Sequence, residues 1–251
     1  MDYQPASNLL NDRIILVTGA SDGIGREAAV TYARHGAQVI LLGRNVQKLQ
    51  TVADEIAASG KAAPLFFTLD LDSATPEACH QLADKLSGQI DRLDGVLHNA
   101  GLLGDVVPMA QQDPAVWQQV MRVNVDATFF LTQALLPLLL KSPNGSLVFT
   151  SSSVGRQGRA GWGAYSVSKF ATEGMMQVFA EEYRGQLRVN CINPGGTRTK
   201  MRASAFPEEN ADKLKTPADI MPTYLYAMGA DCQETGKSFD AQPGRKPGAA
   251  E

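Results

Sequence analysis

A chain of 251 residues, 44% hydrophobic and 20% charged, is long enough for one large domain with a buried core. A net charge of −3 gives no electrostatic reason to expect nucleic acid or an anionic membrane as a partner. The three cysteines are scattered without metal-ligand spacing, and neither a signal peptide nor a membrane-spanning apolar run is evident. We therefore expect a cytoplasmic protein with reduced thiols, no bound metal and no membrane contact.

Short apolar, β-branched runs alternate along the chain with longer segments of good helix formers. Six runs are predicted as buried strands and one more as the last strand: 13–18, 38–42, 65–71, 95–99, 146–151, 187–192 and 236–240. Helices are predicted over 26–35, 47–59, 76–86, 113–141, 163–183 and 217–228, and Pro137 is expected to kink or break the fourth. This alternation predicts an α/β domain with a doubly wound parallel sheet of about seven strands and helices on both faces.

Two further segments fall outside this alternation. The polar, irregular stretch 198–216 follows the sixth strand, where a substrate lid over the strand ends would lie. Residues 242–251, rich in Gly, Pro and Ala, predict an extended or disordered tail. Neither segment calls for a second core, so we predict a single domain over 1–251.

A glycine-rich turn joins the first strand to the first helix. The helix start presents backbone N–H groups and the positive end of the helix dipole, which suit an anion such as a pyrophosphate. A glycine trio also suits an ordinary tight turn. The sequence thus predicts a dinucleotide site whose contacts include Gly19, Ser21, Asp22, Gly23, Ile24 and Gly25.

The ends of the second and third strands indicate which dinucleotide is bound. No acid stands at Gly43 to accept from the 2′-hydroxyl of NAD, whereas Arg44 suits the 2′-phosphate of NADP. NADP is therefore predicted over NAD, with a solvated loop residue as the alternative for Arg44. Asp70, with Leu71 beside it, is expected to reach the adenine, unless Asp70 or Asp72 caps the next helix.

The stretch 152–169 carries a hydroxyl, a phenol and an ammonium at set intervals. Tyr165 and Lys169 are four residues apart, so a helix places them one turn apart on one face. An ammonium beside a phenol lowers the phenol pKa from about 10, although such a pair also arises through ordinary surface packing. Ser152 follows the fifth strand, where its hydroxyl would donate to a substrate oxygen. His98, inside the fourth strand, is expected to be a packed core residue.

Together these motifs resemble the short-chain dehydrogenase/reductase family in its compact form, over nearly the whole chain. The resemblance rests on the glycine turn, Asn99-Ala100-Gly101, Asn124, the set Ser152, Tyr165 and Lys169, and Pro194-Gly195. Segments 12–26, 98–105 and 193–207 look closest to one bacterial subgroup. The resemblance implies a single NAD(P)-binding Rossmann domain and an oxidoreductase acting on a carbonyl or alcohol.

The family's catalytic roles map onto four residues of this chain. The resemblance implies that Tyr165 protonates the carbonyl oxygen, that Ser152 orients it, and that Lys169 lowers the Tyr165 pKa and holds the nicotinamide ribose. It also implies that the main-chain carbonyl of Asn124 supports a water in a proton relay. The implied cofactor contacts beyond the turn are Arg44, Asp70, Leu71, Asn99, Ala100, Gly101, Tyr165, Lys169, Pro194, Gly195, Thr197 and Thr199.

Asp22 departs from the pattern of many NADP-preferring members of the family, which carry a basic residue in the glycine turn. A carboxylate there would not help to bind a 2′-phosphate. The NADP prediction therefore rests mainly on Arg44 and on the missing acid at Gly43.

The sequence says least about the substrate and the oligomeric state. A partly apolar pocket is expected from Leu102, Leu103, Val154, Trp162 and 201–206, while an acidic substrate would need Arg156, Arg159 or Arg198. The resemblance implies a homodimer or homotetramer formed through the helices at 113–141 and 163–183. A non-catalytic dinucleotide-binding regulator is the main alternative function, followed by sugar-nucleotide epimerase or dehydratase chemistry.

Overall fold

Seven parallel strands form one sheet in the computed structural model, which describes residues 3–242. The strands are β1 (Ile14–Thr18), β2 (Gln38–Gly43), β3 (Leu65–Thr68), β4 (Gly95–His98), β5 (Gly145–Thr150), β6 (Leu187–Asn193) and β7 (Lys237–Asp240). Their order is β3-β2-β1-β4-β5-β6-β7. Strand order reverses between β1 and β4, so their carboxyl ends border the crevice where doubly wound sheets bind ligands. The predicted sheet is confirmed.

Helices cover both faces of the sheet. They are α1 (Gly23–Arg34), α2 (Val46–Ala58), α3 (Pro76–Ser87), α4 (Pro114–Met121), α5 (Ala127–Leu139), α6 (Gly163–Glu182), α7 (Lys200–Ala205) and α8 (Met221–Met228). The core layer with α1, α2 and α8 includes Ile15 and Val17, and the layer with α3, α5 and α6 includes Leu16. Side chains alternate along β1, and both layers exclude water, so the strand is apolar throughout.

The long helix predicted over 113–141 is interrupted, but not at Pro137. A π-helical turn at Arg122–Asp126 separates α4 from α5, and α5 continues through Pro137 to Leu139. Pro137 lies on the exposed side of the last turns of α5, where water can bond the carbonyl that the proline leaves unpaired. Of the kink or short break predicted at Pro137, the break is absent, and the interruption lies instead at the π-helical turn.

The segment 198–216, predicted to be irregular, contains a helix. Thr199 caps the amino end of α7 by accepting from Arg202 N at 3.1 Å, and a 3₁₀ turn follows at Ala211–Lys213. None of the α7 side chains is fully buried. The segment is therefore an ordered surface helix beside the strand ends.

Gln242 was predicted to begin a free tail, but it is anchored. Its side-chain amide donates to the carbonyls of Pro194 and Gly196 at 2.8 and 2.9 Å. Residues 243–251 of the predicted tail lie outside the described part of the chain. Gln242 thus belongs to the support of the turn after β6.

Neither a membrane helix nor a metal cluster is found in residues 3–242. No helix in that range is both long and apolar enough to cross a bilayer. Over the same residues, no three His, Cys, Asp or Glu side chains gather as metal ligands would.

Candidate active site

A cavity of 710 Å³ lies at the carboxyl edge of the sheet, beside the crevice between β1 and β4. Most of the residues predicted for cofactor binding or catalysis line it: Gly19, Ser21, Asp22, Gly23, Ile24, Arg44, Asp70, Leu71, Asn99, Ala100, Gly101, Ser152, Tyr165, Lys169, Pro194, Gly195, Thr197 and Thr199. The other two predicted residues, Gly25 and Asn124, are buried behind its wall. The fold thus brings residues from across the sequence to one site.

The glycine turn approaches β4 so closely that side chains are excluded. Gly19 has a φ of +65°, and a Cβ there would lie 3.0 Å from Ala100 Cα. A Cβ on Gly25 would lie 2.6 Å from Asn99 Nδ2. Thr18 Oγ1 accepts from the backbone N–H groups of Asn99 and Ala100 at 3.0 Å each, which fixes the two strand ends together. The turn therefore forms a side-chain-free cradle at the amino end of α1, as a bound pyrophosphate requires.

Asp22 is held by two lysines that the sequence reasoning overlooked. Its carboxylate caps α1 by accepting from Gly23 N at 2.9 Å and also lies 2.6 Å from Lys200 Nζ and 3.9 Å from Lys48 Nζ. The Lys200 hydrogen bond is the main reason that the Asp22 pKa is lowered. Both lysines line the cavity. Asp22, the acid that counted against NADP, thus lies beside two ammonium groups, and their positive charge favours an anionic ligand.

Arg44 and Asp70 face each other across the ends of β2 and β3. Arg44 Nη1 lies 3.9 Å from Asp70 Oδ1, and the arginine side chain is 65% exposed beside the cavity. Neither aspartate caps α3, because Thr75 does so by accepting from Ala78 N. The capping alternative for Asp70 and Asp72 was therefore wrong.

The side chains of Ser152 and Tyr165 line the same cavity, where the serine hydroxyl acts to lower the pKa of the phenol. Helix α6 carries the tyrosine and begins where Gln112 Oε1 accepts from Ala164 N at 2.9 Å. Burial raises the Tyr165 pKa to about 12, and the neighbouring Ser152 hydroxyl opposes this rise. The direction is opposite to that expected from Lys169, because desolvation of the phenol dominates. The phenol therefore holds its proton at neutral pH.

Lys169 is buried one turn along α6 from Tyr165. Its ammonium donates to the carbonyl of Thr150 at 2.8 Å and lies 5.5 Å from the centroid of the Tyr165 ring. Burial lowers its pKa to about 8. The ammonium is thus fixed beside the hydroxyl pair and remains mostly charged at pH 7.

Asn124 lies in the π-helical turn and ties three segments together. Its Nδ2 donates to Leu102 O and Ser168 Oγ at 2.9 Å each, and its Oδ1 accepts from Leu102 N at 2.7 Å. The side chain therefore fixes the loop after β4 against α6. A π-helical turn frequently marks a functional position.

His98 is a core residue, as predicted. Its ring stacks on Phe149 at 5.2 Å between centroids, and its Nε2 pairs with Thr132 Oγ1 at 2.9 Å. Burial lowers its pKa to about 3. The imidazole therefore stays neutral and takes no part in the cavity.

Aromatic side chains lie between Tyr165 and the segment 198–216, the predicted lid. The Trp162 ring lies 5.8 Å from the Tyr165 ring and 5.7 Å from the Phe206 ring, centroid to centroid. Leu102, Leu103, Trp162 and Met201 line the cavity together with Arg202 and Ala205. Leu102, Leu103, Trp162 and Met201 of the predicted apolar pocket thus line the cavity, whereas Val154, also predicted for it, is buried and does not.

The arginines considered for an acidic substrate are engaged elsewhere. Arg156 pairs with Asp240 at 2.5 Å, and Arg198 pairs with Asp212 at 3.5 Å. Arg159 lies 6.0 Å from the Trp162 ring centroid. Arg202, which lines the cavity, forms two hydrogen bonds with the Glu209 carboxylate at 2.6 and 2.7 Å. The positive charge nearest the aromatic side chains is therefore balanced within the lid.

These features, a glycine turn and a Ser-Tyr-Lys set on a doubly wound sheet, define a nicotinamide oxidoreductase of the Rossmann type. The chain belongs to the short-chain dehydrogenase family, whose model matches residues 13–210. It is 71% identical over the full length of both chains to the oxidoreductase YciK of Escherichia coli strain K12. The predicted resemblance to the family and to a bacterial subgroup is thereby confirmed.

Two solved structures of similar proteins contain a cofactor. A short-chain dehydrogenase from Escherichia coli CFT073, complexed with NADPH, is 71% identical, with a TM-score of 0.94 over 95% of this chain and 100% of that one. Another from Shigella flexneri 2a, complexed with NADP, is 70% identical, with the same TM-score and coverage. Nicotinamide dinucleotides are thus bound by proteins very similar to this one.

Proposed function

We propose that the protein is an NADP-dependent oxidoreductase that transfers a hydride between the nicotinamide and a carbonyl or alcohol substrate. The observation that carries this proposal is that the hydroxyls of Ser152 and Tyr165 line one cavity, with Lys169 buried one helical turn away. A hydroxyl pair beside an ammonium suits proton transfer to a reacting oxygen. The glycine turn in the same cavity suits a dinucleotide.

The cavity residues fit the parts of NADP. The backbone N–H groups of the glycine turn would hold the pyrophosphate, and Arg44 with Lys48 would meet the 2′-phosphate. Asp70 and Leu71 would contact the adenine, and the turn after β6 would contact the nicotinamide end. The relatives crystallised with NADPH and NADP support this cofactor. When bound, the nicotinamide supplies or accepts the hydride.

The protein's own residues supply the proton that the carbonyl oxygen receives during reduction. Because its pKa is about 12, Tyr165 is protonated at neutral pH and can donate to the carbonyl oxygen during reduction. Ser152, in the same cavity wall, orients the same oxygen. Lys169 stabilises the phenolate that remains and would hold the nicotinamide ribose. Asn124 fixes the surrounding loop, and its main-chain carbonyl would support a water leading to solvent.

The substrate is a neutral, largely apolar carbonyl compound or alcohol. Trp162 stands between Tyr165 and Phe206, so the reacting oxygen and an aromatic surface are adjacent. The bidentate ion pair of Arg202 with Glu209 balances the positive charge beside this surface. A carboxylate on the substrate would have to compete with Glu209, which disfavours keto acids.

The assembly is a homo-oligomer formed through α5 and α6. Exposed apolar side chains lie along both helices: Phe129 on α5 with Leu140 just after its end, and Val167, Phe170 and Val178 on α6. On α6 the spacing of three and then eight residues places them in one stripe. Two such stripes suit a second copy of the chain. Sedimentation of wild type and Phe170→Asp tests this, because a charge within the stripe should dissociate the oligomer.

The function is tested by NADPH oxidation across neutral aromatic and aliphatic ketones and aldehydes, quinones and keto acids. At least one neutral carbonyl should be reduced, and Tyr165→Phe should lower kcat by about 10²- to 10⁴-fold, because the proton donor is lost. The same variant should bind NADPH as wild type does.

Two outcomes separate this proposal from a dinucleotide-binding regulator. Tight NADPH binding without turnover of any substrate would support the regulator. Turnover that survives in Tyr165→Phe would show that another group supplies the proton. Tyr183→Phe, a matched change just beyond the far end of α6, should leave both binding and turnover intact.

A further inference from the structure

Glu173 is a buried carboxylate that the proposed mechanism does not use. It lies on α6, four residues after Lys169 and eight after Tyr165, so the helix carries the three side chains on successive turns. Only 6% of the residue is exposed. An ionised carboxylate is costly to bury unless it is paired and hydrogen-bonded, so its partners indicate what it does.

The partners of Glu173 come from the strand end that carries the catalytic serine. Ser151 Oγ, from the residue next to Ser152, donates to Glu173 Oε1 at 2.6 Å. Ser238 Oγ on β7 donates to the same oxygen at 2.9 Å. Arg156, in the loop between Ser152 and Tyr165, has its Nε 4.0 Å from that oxygen. One carboxylate therefore joins α6 to β5, β7 and the intervening loop.

A second set of contacts extends this connection to the turn after β6. Arg156 pairs with Asp240 at 2.5 Å, and Asn193 Nδ2 donates to the same Asp240 oxygen at 2.8 Å. Asn193 Oδ1 in turn accepts from Gly195 N at 3.1 Å. The buried network thus links the serine strand, the tyrosine helix and the turn expected at the nicotinamide.

We propose that Glu173 is a positioning residue, which holds the strand end of Ser152 against the helix of Tyr165 and places a negative charge behind Lys169. This inference rests on the proposed reductase function. The hydroxyl pair is made by residues from two different elements, and Ser151–Glu173 is a direct side-chain link between them. The bond from Lys169 to the Thr150 carbonyl is a second link, so loss of Glu173 should shift Ser152 slightly and not release it, and a small misplacement is costly to a proton transfer.

The charge of Glu173 acts on Lys169 from within the same helix. The groups that face this region are Cys191 on β6, whose raised pKa keeps it neutral, and Arg156, whose charge is balanced by Asp240. Negative charge on Cys191, and after it on Glu173, would oppose the lowering of the Lys169 pKa by burial. Because the buried thiol is neutral at neutral pH, Glu173 is the charged one of the two. Removing it should lower that pKa further below about 8.

Two substitutions separate the role of Glu173 in holding Ser152 from the effect of its charge on Lys169. Glu173→Ala removes both, and kcat for NADPH-dependent reduction should fall about 10- to 100-fold, with little change in the KM for NADPH. Glu173→Gln keeps an acceptor oxygen for Ser151 and should restore most of kcat. Its pH profile should still move: the loss of rate at high pH, where Lys169 deprotonates, should begin at lower pH than in wild type.

Glu181→Ala and Glu181→Gln are the matched controls. This carboxylate lies on the same helix, eight residues further on, but is exposed and pairs only with Arg184 among the contacts described. Neither control should change kcat or the pH profile. Thermal unfolding of all variants shows whether a lower kcat comes from an unstable fold or from a displaced Ser152.

Two measurements do not depend on turnover. In a crystal structure of Glu173→Ala, the distance between the Ser152 and Tyr165 hydroxyls should lengthen relative to wild type. Carbon-13 NMR titration of lysine side chains should place the Lys169 pKa lower in Glu173→Gln. An unchanged hydroxyl pair with an unchanged lysine titration would overturn the role of Glu173. Absence of turnover in the wild type would overturn the proposed function instead.

Discussion

Replacing Gly25 by Ala tests whether the close approach of the glycine turn to β4 is essential to the cofactor site. The new Cβ would lie 2.6 Å from Asn99 Nδ2 and 2.9 Å from the carbonyl carbon of Gly19, with the carbonyl oxygen closer still. Ordinary carbon contacts lie at about 3.5–4.0 Å. Because Gly19 meets the Cβ with backbone atoms, no side-chain rotation relieves the overlap, and the turn itself must move.

The cost follows from the chemistry of overpacking. An added methyl group in a tight site costs about 1–3 kcal/mol, which is about a 5- to 150-fold change in an equilibrium constant. The displaced N–H groups are those expected to hold the pyrophosphate, so the Kd for NADPH should rise within that range. The Tm without cofactor should fall by about 2–4 °C for each kcal/mol.

Fluorescence titration with NADPH and thermal unfolding measure the two effects. Gly174→Ala is the matched control, because a Cβ at that helical position would meet no heavy atom within 4 Å. It should stabilise α6 by about 0.5–1 kcal/mol and leave NADPH binding unchanged. Wild-type Tm and Kd in Gly25→Ala would refute the argument that the turn has no room for a side chain.

Three further expectations concern the cofactor, the core and the substrate. Arg44→Ala and Lys48→Ala should each lower the NADPH-to-NADH affinity ratio about tenfold by titration, and an unchanged ratio in both would contradict their assignment to the 2′-phosphate. Burial holds the His98 pKa at about 3 in the folded protein, against 6.5 in an ordinary histidine. The contribution of His98 to stability is therefore complete above pH 6.5 and is lost as pH falls from 6.5 toward 3. In His98→Gln, the free energy of unfolding should depend less on pH between these two values. Trp162→Ala should raise the KM for an aromatic carbonyl while sparing NADPH binding.

The fold was predictable because its strands are buried on both faces and its helices carry end signals. The run 13–18 is apolar throughout, and only a sheet covered by helices on both sides accommodates such a strand. The break in the helix at 113–141 was misplaced because proline is a local signal. The π-helical turn at Arg122–Asp126 instead coincides with the contacts of Asn124 to Leu102 and Ser168, which lie far away in sequence.

Most of the cavity was predictable for a similar reason, since parallel strands end at one edge and their following residues converge there. Lys48 and Lys200 were missed because a lysine in the first turn of a helix reads as a solvated residue. Only the fold brings one from α2 and one from α7 to the same carboxylate of Asp22. Gln112 caps α6 from a preceding loop, and nothing in the sequence near it indicates this contact.

The position of Asp22 explains how an acidic turn is compatible with an anionic cofactor. An isolated carboxylate repels a phosphate, and the sequence around Asp22 does not show which group would offset its charge. In the fold it accepts from the first N–H of α1 and from Lys200, so its charge is balanced within the turn and the lid. Since Lys200 begins α7, this ion pair also joins the glycine turn to the lid. Asp22→Asn, which keeps the cap but removes the charge, should therefore loosen α7 without weakening NADPH binding, and hydrogen exchange in 200–205 measures the difference.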